Sequence, residues 1–156
     1  MVAIAALGSA TTQLVQGLGP EDCARVEAAL AYAGEAYQDK VCTSGQNALE
    51  FSIGVASTLA YLNSDAETRI AGLLFELTVI DPDAAAGLEA RVGKDATDLV
   101  SGVRQLIRLR DMTVGQKEIG RGKGASQRAV AQVETLRKML LAMASDMRVV
   151  LVRLAS

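Results

Sequence analysis

Apolar residues recur every three to four positions along most of this chain, and strict alternation is missing. That period predicts helices and no sheet. Residues 2–18 read as one helix, or as two short ones broken near Gly8. Gly19-Pro20-Glu21-Asp22 is a start signal, because proline suits a first helical turn and acids favour its N-terminus. The helix it opens is expected to run to about Gln38. After the polar break Cys42-Thr43-Ser44-Gly45-Gln46-Asn47, residues 48–62 predict a third helix with Leu49, Ile53, Ala56 and Ala60 on its inner face. Asn63-Ser64 stops it, and Ser64 with Glu67 reads as a capping-box pair opening a fourth. Ile70, Leu73, Leu74 and Leu77 have core spacing there.

Asp81-Pro82-Asp83 predicts a short alanine-rich helix ending near Gly93. Residues 94–111 follow as an amphipathic helix with Leu99, Val100, Val103, Leu106 and Ile107 inward and Arg104, Arg108 and Arg110 outward. Residues 113–126 hold four glycines among Lys117, Arg121 and Lys123 and read as a mobile loop. A long helix over 127–145 is expected to bury Val130, Val133, Leu136, Leu140 and Met143. Residues 146–155 predict a final buried helix. The fold class is therefore all-α, and 156 residues suit one compact multi-helix domain.

Composition narrows the function. A net charge of −2 supplies no global basic field, so no direct nucleic-acid binding is expected. Two cysteines, Cys23 and Cys42, imply no disulfide framework and favour a reducing, cytoplasmic setting. Residues 1–7 are apolar but too short to span a bilayer, and no membrane association is expected. The chain contains no histidine, which removes the commonest metal ligand and general base.

Three segments together resemble the N-terminal hydrolase region of the RelA/SpoT homologue family of alarmone enzymes. They are residues 36–56, with Ser44-Gly45 spaced from Ile53-Gly54-Val55-Ala56; residues 65–76, Asp-Ala-Glu-Thr-Arg-Ile-Ala-Gly-Leu-Leu-Phe-Glu; and residues 136–155. The stretch 92–106 also fits. The resemblance spans roughly 25–156, which leaves 1–19 as an N-terminal helical extension of a single domain, 1–156. It implies an HD-type domain, which in active members holds Mn²⁺ and removes the 3′-pyrophosphate of guanosine tetra- or pentaphosphate. There, imidazole and carboxylate ligands hold an ion that activates water.

Carried over by position, the family's first metal-binding histidine falls on Phe51, its His-Asp pair on Phe75 and Glu76, and its last aspartate on Ser156. The acidic pair that handles water falls on Val79 and Ile80, and the basic pair that grips the nucleotide on Cys42 and Thr43. A further family histidine falls on Tyr37, expected as a half-buried tyrosine. Glu76 alone is left as a carboxylate, expected to be solvated or paired. The resemblance therefore implies a degenerate site with no catalytic residue, no metal and a lost Mn²⁺ site. Phe51 and Phe75 are expected to touch and fill the former pocket.

The pattern is nearest the synthetase-only RelA branch. It implies that this chain is not an enzyme but a regulatory domain packed on an adjoining synthetase domain absent from this chain. The parent is expected to be a GTP diphosphokinase moving pyrophosphate from ATP to GTP or GDP in the stringent response. The expected contact surface is residues 148–156, with the outward arginines of 94–111 as a second candidate. Ribosome contact is expected only through other parts of the parent. Two alternatives stand beside this reading: a nucleotide-binding allosteric module, and a residual phosphohydrolase. Self-association is a further option. The basic, glycine-rich stretch 117–128 is the surface candidate for phosphate, with a solvated linker as its default.

Overall fold

The computed structural model describes residues 2–42, 44–116, 130, 133–135, 137–138 and 147–156. Helix α1 spans Val2–Leu14, α2 Pro20–Ala36, α3 Ala48–Tyr61 and α4 Ala66–Leu74. The short helices α5 (Leu77–Ile80), α6 (Pro82–Ala85) and α7 (Leu88–Val92) lead into α8, Lys94–Gln116, and Met147–Ala155 forms α9. Among the described residues there is no strand, only an isolated bridge between Val41 and Asn47. The all-α expectation holds.

Helix α4 is the centre, packed against α2, α3, α8 and α9. All of its residues but Glu67 are buried, which a helix enclosed on every side requires. Ile70, Leu73, Leu74 and Leu77 are fully buried, as their spacing predicts. Two glycines permit the closest crossings. A Cβ on Gly72 would lie 2.6 Å from Leu59 Cδ1, and one on Gly102 would lie 2.8 Å from Val149 Cγ2. Val149 is stiff at χ1 and buried, so it cannot swing aside. Gly102→Val is expected to cost about 2 kcal/mol by overpacking. The loss would appear as a lower urea midpoint at unchanged slope.

Several boundaries and faces differ from expectation. Helix α1 is the single unbroken helix of the two alternatives, since one glycine costs only about 1 kcal/mol of helix propensity, but it ends at Leu14 rather than near residue 18. The buried face of α3 is Ala48, Ser52, Val55, Ala56, Leu59 and Ala60, while Leu49 and Ile53 are half-buried. Wrapping by α1, α4 and α9 turns the helix away from its bulkiest stripe. The cap of α4 is Asp65, whose carboxylate accepts from the Thr68 amide at 2.9 Å and from the Thr68 hydroxyl. Ser64 instead donates to the Leu59 carbonyl at 2.9 Å, closing α3. The segment after Asp81 forms two short helices, and Gly93, at φ 88°, turns the chain into α8.

Helix α8 continues to Gln116, so residues 113–116 are helical rather than loop. Leu106 and Ile107 are half-buried, because α8 rises past the core there. Val130 and Val133 are exposed rather than core. Leu136, Leu140, Met143 and the stretch 117–128 lie outside the described residues. Helix α9 is buried on one side only: Val149 and Val152 face the core, while Met147 and Leu154 are exposed. Among the described residues no helix is long and apolar enough to cross a membrane.

Candidate functional site

An open cleft of about 570 Å³ lies where α3, the α4–α5 break, α8 and α9 meet. Phe51 reaches it from the first turn of α3, which Asn47 caps by accepting from the Glu50 amide. Phe75 and Glu76 occupy the break between α4 and α5. Tyr37 holds that break in place. Its hydroxyl donates to the Leu73 carbonyl and accepts from the Leu77 amide, both at 2.9 Å. Tyr37 is thus fully buried rather than half-buried, and burial pushes its phenol pKa far up, so it stays a neutral hydrogen-bonding group.

The structure brings Cys42, Phe51, Phe75, Glu76, Val79 and Ser156 to this one cleft. Ile80 does not line it and packs on the core side. Thr43 lies outside the described residues. Phe51 and Phe75 touch edge to face, with ring centroids 6.3 Å apart at 63°, as expected. Phe75 is buried and Phe51 half-buried. Cys42 Sγ sits 2.9 Å from Ser44 Oγ at the cleft edge and donates to the Gln46 carbonyl.

Glu76 departs from expectation: it is neither solvated nor paired. It is 7% exposed, and its Oε2 has no hydrogen-bond partner among the described residues. Burial pushes its carboxyl above the ordinary 4.5, and the positive charge of Arg153 offsets part of that rise. A raised folded pKa makes the ionised group a cost. The cost is absent below the unfolded pKa, where both states are protonated, and grows as pH rises through that value toward the folded one. Glu76→Gln is therefore expected to stabilise the fold at pH 7 by about 1 kcal/mol. The gain should vanish near ~pH 4; urea melts across that range check it.

The arginines expected on the outer side of α8 lie there, Arg108 and Arg110 exposed and Arg104 half-buried, and all three line the open cleft. Arg104 and Arg108, four residues apart, share one face of α8, Arg110 joins them, and Arg153 approaches from α9. The i,i+4 spacing was visible in the sequence. That their face looks over a concavity required the neighbouring helices. Among the described residues, no three His, Cys, Asp or Glu side chains come together as a metal requires. The residues present do not fit the Mn²⁺ of active family members, since two aromatic rings, a serine and a single buried carboxylate stand at the positions carried over for its ligands.

An aliphatic helical bundle centred on α4, with a cleft at the α4–α5 break, defines an all-α scaffold. The chain belongs to the HD domain family, whose pattern it matches over residues 29–156. It is 33% identical over 92% of its length to the bifunctional (p)ppGpp synthase/hydrolase SpoT of Escherichia coli. It is also 33% identical, over 79% of its length, to a guanosine-3′,5′-bis(diphosphate) 3′-pyrophosphohydrolase of Haemophilus influenzae. A GTP pyrophosphokinase of Myxococcus xanthus matches at 31% over 83%. The chain spans 18%, 16% and 16% of these relatives. Resemblance to the RelA/SpoT homologues is thus confirmed across most of the chain. The expectation that this chain is not an enzyme is overturned: relatives matching over most of it are named as hydrolases, an enzymatic kind of HD domain.

Proposed function

We propose that this chain is a nucleotide-responsive HD domain of a longer, cytoplasmic alarmone-metabolising protein. It takes a guanosine polyphosphate into the Phe51–Phe75–Glu76 cleft, and occupancy biases an adjoining synthetase region between active and inactive arrangements. The observation that carries this reading is the convergence of Arg104, Arg108, Arg110 and Arg153 on one cleft in a chain of net charge −2. Clustered guanidiniums suit phosphate oxygens, which they bind bidentately. The names of the relatives support a guanosine polyphosphate as the ligand.

Helix α9 is the element suited to carry the signal. It presents Arg153 and Ser156 to the cleft while Leu154 on another side is 79% exposed. A ligand drawing Arg153 inward shifts that helix, and differential contacts in two arrangements are what regulation needs.

Calorimetric titration with guanosine tetraphosphate tests the reading. Saturable binding is expected, with Arg104→Ala/Arg108→Ala weakening it at least tenfold, about 1.4 kcal/mol. An absence of saturable heat sinks the proposal. Pyrophosphate release after adding Mn²⁺ would make the occupied cleft a turnover site, the alternative that the relatives' hydrolase names favour.

A further inference from the structure

We infer that Glu76 reads the base: its carboxylate accepts hydrogen bonds from the N1–H and N2–H donors of a guanine ring bound in the cleft. The inference rests on the nucleotide-binding reading above and adds to it a residue that sets base specificity.

The starting point is a mismatch. Glu76 is only 7% exposed, and its Oε2 is sealed without a partner among the described residues. Four guanidiniums line the same cleft, yet none forms an ion pair with it among the described residues. Nor does it cap α5, which has no side-chain cap bond. A buried acceptor without a donor is costly. Its retention at the floor of a cleft is explained when the donor arrives with a ligand.

The cleft is thus bipolar: on α8 and α9 four guanidiniums outnumber the single carboxylate of Asp111, and at the α4–α5 break stands an acceptor-only group. A simple cation would face the four arginines, and a divalent ion would find only one further carboxylate in the cleft, Asp111, since no group of three metal-binding side chains occurs among the described residues. The ligand that suits both ends is anionic at one end and rich in donors at the other. Guanine presents two adjacent N–H donors that match the two oxygens of a carboxylate, as a guanidinium does, and the sealed Oε2 meets the second donor once the side chain turns toward the ligand. Adenine sets one donor beside an acceptor nitrogen, which opposes a carboxylate lone pair. Hypoxanthine keeps a single donor. The half-buried Phe51 ring, backed by Phe75, supplies an apolar wall for a base. A cleft of about 570 Å³ has the size of a small-molecule site.

The test is the affinity of the 156-residue chain for GDP, IDP and ADP, which share their diphosphate and differ in the base edge. The wild-type chain is expected to prefer GDP over IDP by about tenfold, and over ADP by more, since one charge-assisted hydrogen bond is lost in the first case and a repulsion added in the second. Glu76→Gln is expected to bring the GDP/IDP ratio close to one, with urea melts confirming that the variant is folded. Equal wild-type affinities for the three nucleotides would overturn the inference while leaving the phosphate-binding reading intact. The same follows if the folded Glu76→Gln chain keeps the full preference for GDP. Failure of all three to bind would overturn both readings together.

Discussion

Phe75→Ala is expected to destabilise this domain by about 3–5 kcal/mol, the range for emptying a buried aromatic site. Phe75 is 1% exposed and sits where the chain leaves α4, and Tyr37 clamps the carbonyl of Leu73 on one side and the amide of Leu77 on the other. Fixed backbone on both sides prevents collapse into the void, so the cavity term is felt in full. Phe51→Ala should cost less, because Phe51 is only half-buried. The pair should show a coupling of about 0.5–1.5 kcal/mol in a double-mutant cycle, as expected for rings in edge contact. Additive single effects would mean that the ring contact contributes nothing beyond area burial. Chemical denaturation of the four chains measures all of these quantities.

Arg69→Met is expected to cost about 3 kcal/mol, a drop in Tm of about 6–12 °C for a chain of this size. Arg69 is 1% exposed and forms no ion pair among the described residues. Its guanidinium donates instead to three backbone carbonyls: Leu14 at 2.9 Å, Gln16 at 2.8 Å and Ser64 at 3.0 Å. Leu14 ends α1 and Gln16 lies in the turn just past it, where carbonyls lack helical partners and the helix dipole has its negative end. Methionine keeps the apolar stem but strands those carbonyls. Desolvating the guanidinium already costs energy, which is why the expected loss is less than three charge-assisted bonds would sum to. The effect has a location as well as a size. Amide hydrogen exchange in α1 should accelerate before that in α4. Uniform acceleration would show that Arg69 supports the whole core rather than tethering α1. Arg69→Lys should recover only part of the loss, since an ammonium does not reproduce the planar fork.

These two residues mark the divide between what was legible and what was not. Phe51 and Phe75 were singled out by a resemblance, and their contact was expected from the positions they occupy. Arg69 carried no signal: it follows Glu67 and Thr68 just before the apolar run that begins at Ile70, where a charged side chain reads as solvated. Only the folded chain brings the Leu14 and Gln16 carbonyls within its reach. Glu76 failed in the opposite sense. A glutamate on a helix is ordinarily exposed, yet the break after α4 turns it inward. The arginines of α8 were placed correctly on its outer face, and what the sequence did not show is the cleft that opens beside that face.

Helical period, the proline and glycine stops and the absence of alternation determined an all-α domain from the residues alone, because those signals act through neighbours three or four positions apart. The Ile70–Leu77 core stripe follows from the same local rule. Which polar groups are buried, which helix face opens on a cavity and which glycines are obligatory were decided only by packing. Each depends on side chains from elements far apart in the chain, such as Val149 against Gly102 or Leu14 against Arg69. Local pattern sets how a segment coils; only the assembled bundle sets what its side chains must meet.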